Sequence, residues 1–189
     1  FLNSNGQVFE RLTNVEYKLL EHDKKFDKVF NEDALANYLS FQFVPTNEED
    51  VFTDAKSFYY NPQYILLRFK ENTTSVNRVL LHSILHCMLL HPFNIDFKDT
   101  ALWNLSSDIC VENIINNWNL NSTKSHKETA QSAIINDILN SVKNLSAENI
   151  YYYLKGLELS QETIKYYSEL FCDDVHKIWY KNMYRMFIK

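Results

Sequence analysis

Residues 78–92 read RVLLHSILHCMLLHP, an apolar run into which three histidines, His82, His86 and His91, are set. So continuous an apolar stretch can only be a buried element, and its length suits a helix from about Val76 to Leu90, with Thr73, Thr74 and Ser75 offering N-caps. On a helix, residues four apart lie one above the other, so the rings of His82 and His86 can reach the same point. Two imidazoles buried on a greasy helix need partners. Backbone or carboxylate groups can serve, but a shared metal ion is the economical explanation. His91 lies nine residues beyond His82 and would face the opposite side of a continuing helix, at about 100° per residue. Pro92 disfavours helical geometry at His91, so the helix should stop near Leu90 and leave His91 free to turn back as a third ligand.

The spacing of His82 and His86 is that of the zincin HExxH motif, in which two histidines bind zinc and the glutamate is the general base. Here the motif reads HSILH, with Ser83 at the position of the glutamate. A serine hydroxyl is too weakly basic and too short to take over that proton transfer, whose loss costs about 10²–10⁴ in rate. The ligand pattern and the missing base therefore point in different directions.

A second apolar helix is expected from Ala101 to about Trp118, with Asp99 and Thr100 as caps. Asn104, Asp108 and Glu112 form a polar stripe along it at four-residue intervals. Asp108 is a poor helix former set among apolar neighbours and needs a partner, for which the metal or a ligand histidine is the natural candidate. Glu112 is a candidate substitute base, though a solvated or structural carboxylate is the simpler reading.

The rest of the chain fits one mostly helical α+β domain. Its 189 residues, 46% hydrophobic and 15% aromatic, supply a sizeable core. Two amphipathic helices are expected between Val8 and Leu39, then short strands at Phe41–Val44 and Phe58–Tyr60, giving a small sheet. The run Tyr64–Phe69 is too short to assign on periodicity. Asn119–Glu128 reads as a surface loop. Helices follow at about 130–142, at 147–155 after the Ser146 cap, at 161–170 after the Ser160 cap, and from Asp173 onward. A net charge of −5 without a basic face gives no electrostatic footprint for nucleic acid. Neither a membrane span nor a signal peptide is evident, and three widely spaced cysteines suit a reducing compartment, so a cytoplasmic location is expected. The first residue, Phe1, suggests a fragment of a longer protein.

With HSILHCMLLHP, ALWNLSSDICVEN, SAENIYYYL and DDVHKIW in that order, and Asn61-Pro62 ahead of them, the chain resembles the metallopeptidase-type domain that precedes a von Willebrand factor A-like domain in many bacterial proteins. The resemblance implies a zincin-like fold with a small sheet packed on the histidine helix. It also implies that His82 and His86 bind zinc, and that His91 and Asp108 match the family's third histidine and helix aspartate. Of these two, His91 is the expected third ligand, and Asp108 is either a fourth or a carboxylate orienting a ligand ring. As partners it implies a peptide or protein substrate, the absent von Willebrand factor A-like domain, and an AAA+ ATPase of the MoxR type. The chain departs from the family at Ser83, at Glu112 where Asn is usual, and at Val175, which lengthens the acidic-His-Trp motif by one residue. Three readings follow: an impaired zinc peptidase, a hydrolase using Glu112 or Asp108 as base, and a non-catalytic zinc module for interaction.

Overall fold

The histidine helix forms where expected and is the spine of the molecule. The computed structural model describes residues 42–48, 50–94 and 99–180. The helices expected between Val8 and Leu39 lie outside the described residues. Three short strands, β1 (Gln42–Pro45), β2 (Val51–Thr53) and β3 (Ser57–Tyr60), make a sheet in the order β1-β3-β2. β1 pairs parallel with β3, Phe43 opposite Phe58, and β2 pairs antiparallel, Phe52 opposite Tyr59. Pro45 is tolerated because β1 is an edge strand, where a missing donor breaks no second ladder.

The run that periodicity left unassigned is helical: α1 spans Pro62–Glu71. Its start is set by Asn61, whose side chain accepts from the amides of Gln63 and Tyr64, and by Pro62, whose missing N–H costs nothing in the first turn. Asn72 is extended and ends α1 while capping α2 (Thr73–Met88) through its side chain. The cap is therefore one residue earlier than the threonines and serine expected to provide it. Ser75 instead ties the two helices, donating to the carbonyl of Arg68.

The remaining helices are α3 (Thr100–Trp118), α4 (Glu128–Leu139), α5 (Ala147–Gly156) and α6 (Gln161–Phe171). Asp99 caps α3 as expected, accepting from the amide of Leu102. α3 buries residues all round its circumference because it packs against α2, α4, α5 and α6 together. One core lies among α3–α6, with Trp103, Ile109, Ile150, Tyr151, Leu154 and Phe171 at its heart. A second joins the sheet to α1 and α2 through Val51, Phe58, Ile65, Val79 and Leu80. A small third cluster, Leu81, Leu85, Val111 and Ile115, holds α2 against α3. Fully burying side chains of this kind contributes about 1.5–3 kcal/mol each, so the two helices carrying the polar residues are fixed to one another by the apolar ones.

The Asn119–Glu128 segment lies at the surface and is pinned to α2, because the carbonyls of Ser122, Thr123 and Lys124 accept from Asn77, Arg78 and Thr74. One segment differs from expectation. Residues 172–176 are not the start of a helix; helical structure begins only at Lys177. That extended segment lies on the sheet, where the amide of Val175 donates to the carbonyl of Val51 and Trp179 Nε1 donates to that of Thr53. Carbonyls two residues apart on a strand point the same way, so β2 offers both acceptors on one edge. No helix among the described residues is long and apolar enough to cross a membrane.

Candidate metal centre

Five buried side chains from three parts of the chain converge on one point. His82 and His86 come from α2, Asp108 from α3, and Asp174 and His176 from the extended segment held by β2. One ligand-type atom from each lies within 4.8 Å of all the others. His82 Nε2 is 2.9 Å from His86 Nε2 and 3.3 Å from Asp108 Oδ1, which is 3.1 Å from His86 Nε2 and 3.3 Å from His176 Nε2. Asp174 Oδ1 is 2.8 Å from His176 Nε2 and 3.6 Å from His82 Nε2. All five residues are at most 4% exposed.

The convergence follows from local structure. The four-residue spacing on α2 stacks His82 over His86, and burial of the flanking Leu81 and Leu85 turns that face toward α3. Asp108 is carried on the face of α3 that meets it. Trp179 stacks on the His176 ring with centroids 3.9 Å apart, and meets the His86 ring edge-on at 5.0 Å. Its indole thus serves as a spacer fixing both imidazoles, while its N–H anchors the segment to β2.

His82 is also held from behind. Its Nδ1 is 2.8 Å from Glu112 Oε1. Glu112 Oε2 accepts from Arg78 Nε and Nη2 and from Gln131 Nε2, at 2.9, 2.5 and 2.8 Å. Arg78 also donates to the Thr123 carbonyl, Asn116 and Glu128. Glu112 is therefore fully buried with both oxygens engaged, on the side of His82 away from the convergent atoms.

The chain turns back at His91, as the proline implies, by placing Leu90 in the left-handed region at φ 60°. A leucine there costs about 1–2 kcal/mol, offset by burial of His91 and Pro92. His91 does not join the convergent group. Its Nδ1 lies 2.9 Å from His86 Nδ1, the nitrogen facing away from the centre, and its ring packs edge-on to Trp103. Asn104, at the end of the α3 stripe, accepts from the Tyr180 hydroxyl at 2.5 Å instead. The Ser83 hydroxyl donates to Asp174 Oδ2 at 2.9 Å.

Burial would depress all the imidazoles, but nearby carboxylates reverse that for two of them. Asp108, Glu112 and Asp174 hold His82 well above its ordinary value, and Asp108 and Asp174 do the same for His176. His86 has no such surplus: burial and the facing rings of His82, His176 and His91 push it well below. Burial and the same neighbours push His91 down to about 3. Burial raises Asp108, whereas His176, His82 and the Ser83 hydroxyl outweigh burial at Asp174 and lower it. The groups that offset the two carboxylates of the centre are thus the His82 and His176 imidazoles and, at Asp174, the Ser83 hydroxyl.

The atoms present fit a divalent cation. Asp174 Oδ1 and His176 Nε2 are both buried and lie 2.8 Å apart as an ion pair, with no further hydrogen-bond partner among the described residues. Together with Asp108 Oδ1 and Nε2 of His82 and His86 they make a compact set of oxygen and nitrogen donors that one ion would satisfy. The thiols take no part: Cys87 faces Thr53, and burial pushes it up to about 12.

Of the residues expected from sequence, His82, His86 and Asp108 are brought together, and His91 and Glu112 each contact a ring from outside the group. Asp174 and His176 were readable only as a helix cap cluster on local pattern. Their one signal was DDVHKIW, through the resemblance.

The chain matches a family model described as "Putative metallopeptidase domain" over residues 29–168. Asp174, His176 and Trp179 lie beyond that match. Neither the curated proteins nor the solved structures give a match.

Proposed function

The chain belongs to that metallopeptidase-domain family, and from this premise we propose that it is a zincin-like domain holding one zinc ion through His82, His86, Asp108 and His176. The observation that carries the proposal is the convergence of buried donor atoms, Nε2 of His82, His86 and His176 with Asp108 Oδ1, within hydrogen-bond distance of one another. Imidazole and carboxylate donors suit zinc among the common divalent ions. When bound, zinc supplies a Lewis acid.

The surrounding residues prepare the donors. Glu112 accepts the Nδ1 proton of His82, which leaves Nε2 as the lone pair facing the centre. Arg78 and Gln131 fix Glu112 in turn. The contact with His91 sets the plane of the His86 ring and turns its Nε2 inward.

Hydrolysis is impaired in this reading. Ser83 cannot act as the base, and Glu112 has no free oxygen and faces away from the donors. The reading in which Glu112 is the base therefore loses its support. Burial of every donor favours a closed, structural zinc, and with it the role of a non-catalytic module working beside a von Willebrand factor A-like domain and a MoxR-type AAA+ ATPase.

Metal analysis of the purified domain is expected to give one zinc per chain, lost in His82→Ala, with no cleavage of peptide substrates above the metal-free control. Peptide cleavage abolished by Glu112→Gln would overturn the impaired reading. Capture of the two partners by the full-length protein, undiminished when peptide is added, would support the module.

A further inference from the structure

Resting on the zinc reading above, we infer that Ser83 and Asp174 form an exchanged pair: the small residue at position 83 makes room for Asp174 and holds it as an additional ligand, closing the centre. Ser83 is then a positioning residue rather than the blank left by a lost base.

Both side chains are buried, Ser83 at 1% and Asp174 at 2% exposure. The Ser83 hydroxyl takes one carboxylate oxygen, Oδ2, at 2.9 Å. That orients the other, Oδ1, toward the convergent donors, where it has no partner beyond His176 Nε2 among the described residues. Backbone anchoring does the rest: the amide of Val175 is tied to Val51, and the Cys172 thiol donates to the Asp174 carbonyl at 2.9 Å. Asp174 thus arrives on a segment tied to β2, with Oδ2 clamped by Ser83 and Oδ1 beside His176 Nε2 in the convergent group.

A glutamate at position 83 has no place in this arrangement. Its longer side chain would carry a carboxylate into the volume of the Asp174 carboxylate. It would also add a third negative charge beside Asp108 and Asp174, whose charges are already offset by the same two imidazoles, His82 and His176. The two positions are therefore mutually exclusive for carboxylates. A chain with Asp174 in the centre needs a small hydroxyl donor at 83.

Zinc affinity measured by chelator competition tests the exchange, with circular dichroism confirming the fold of each variant. Asp174→Asn is expected to weaken zinc binding by about 100-fold, and Ser83→Ala by about 10-fold through loss of the clamp. Ser83→Glu alone should lose zinc, whereas Ser83→Glu combined with Asp174→Ala, which vacates the volume as well as the charge, should bind more tightly than Ser83→Glu, a non-additive result expected only of directly coupled positions. If Asp174→Asn fails to fold, Ser83→Ala and the Ser83→Glu pair of variants still decide the matter. Unchanged affinity in folded Asp174→Asn or Ser83→Ala, with one zinc in the unmodified protein, overturns the inference and leaves the zinc reading intact. An unmodified protein that binds no zinc removes both.

Discussion

The two nitrogens of His82 look into two buried polar clusters that differ in one respect. On the Nδ1 side, Glu112, Arg78, Gln131 and Asn116 form a closed network in which an arginine offsets the glutamate and every donor has an acceptor. On the Nε2 side, Asp108 and Asp174 are offset by imidazoles and the Ser83 hydroxyl, with no lysine or arginine among the groups that lower their pKa values. Both clusters straddle α2 and α3, the first closed by Gln131 of α4 and the second by the segment carrying Asp174 and His176. The first carries its own fixed cation in Arg78. The second has none among its convergent side chains, and this contrast, more than the histidine spacing, argues for a metal.

If the second cluster depends on an ion, its removal should produce the largest change available. Zinc bound with free ion at about 1,000 times Kd stabilises a fold by about 4 kcal/mol. For a chain of this size each kcal/mol is worth about 2–4 °C. Chelator treatment is therefore expected to lower the melting temperature by about 10 °C or more, restored on adding zinc; a melting temperature indifferent to chelation would erase the distinction between the clusters. Arg78→Met attacks the other side, leaving the Glu112 charge buried without its cation at a cost of about 3–5 kcal/mol. Denaturant unfolding should show that loss in the metal-free as well as the metal-loaded protein, because the network does not need the ion.

His91→Ala probes the support of a single ligand ring. With the His86 Nδ1 contact gone, zinc affinity should fall by about 10–100-fold in competition experiments while one equivalent still binds at high zinc. If His91 were itself a ligand, the equivalent would be lost outright. The smallest effect is expected at the rim, where Arg68 pairs with Asp173 at 3.0 Å but stays 23% exposed, and Lys127 provides a second partner at 3.4 Å. Arg68→Met should cost less than Arg78→Met in the same unfolding measurement, because Lys127 remains beside the buried Asp173 carboxylate, and should leave zinc stoichiometry unchanged.

Sequence reasoning reached the α2 histidines, Asp108 and the turn at Pro92 because each is governed by local rules: helical spacing, propensity and the restriction before proline. It expected His91 to turn back as the third ligand; the chain does turn back, but Trp103 and the Leu90 turn direct the ring to His86 Nδ1, outside the convergent group. Arg78 was quoted as part of the histidine run without a role, because its partners Glu112 and Gln131 lie 34 and 53 residues away. Asp174 and His176 were hidden by their own secondary structure. Their polar, capping-like pattern reads as a helix start, whereas the free edge of β2 draws the segment out and delivers both side chains to a helix pair far back in the chain. The sheet was expected to pack on the histidine helix, and it does, but delivery of those side chains has no periodic signature.

The most direct test is X-ray absorption at the zinc edge on the purified, zinc-loaded domain. A coordination shell of nitrogen and oxygen only, with multiple-scattering features of three imidazoles, is the predicted result. Sulfur in the shell would assign the metal to Cys87, Cys110 or Cys172 instead, and together with retention of zinc in His82→Ala would contradict the centre described.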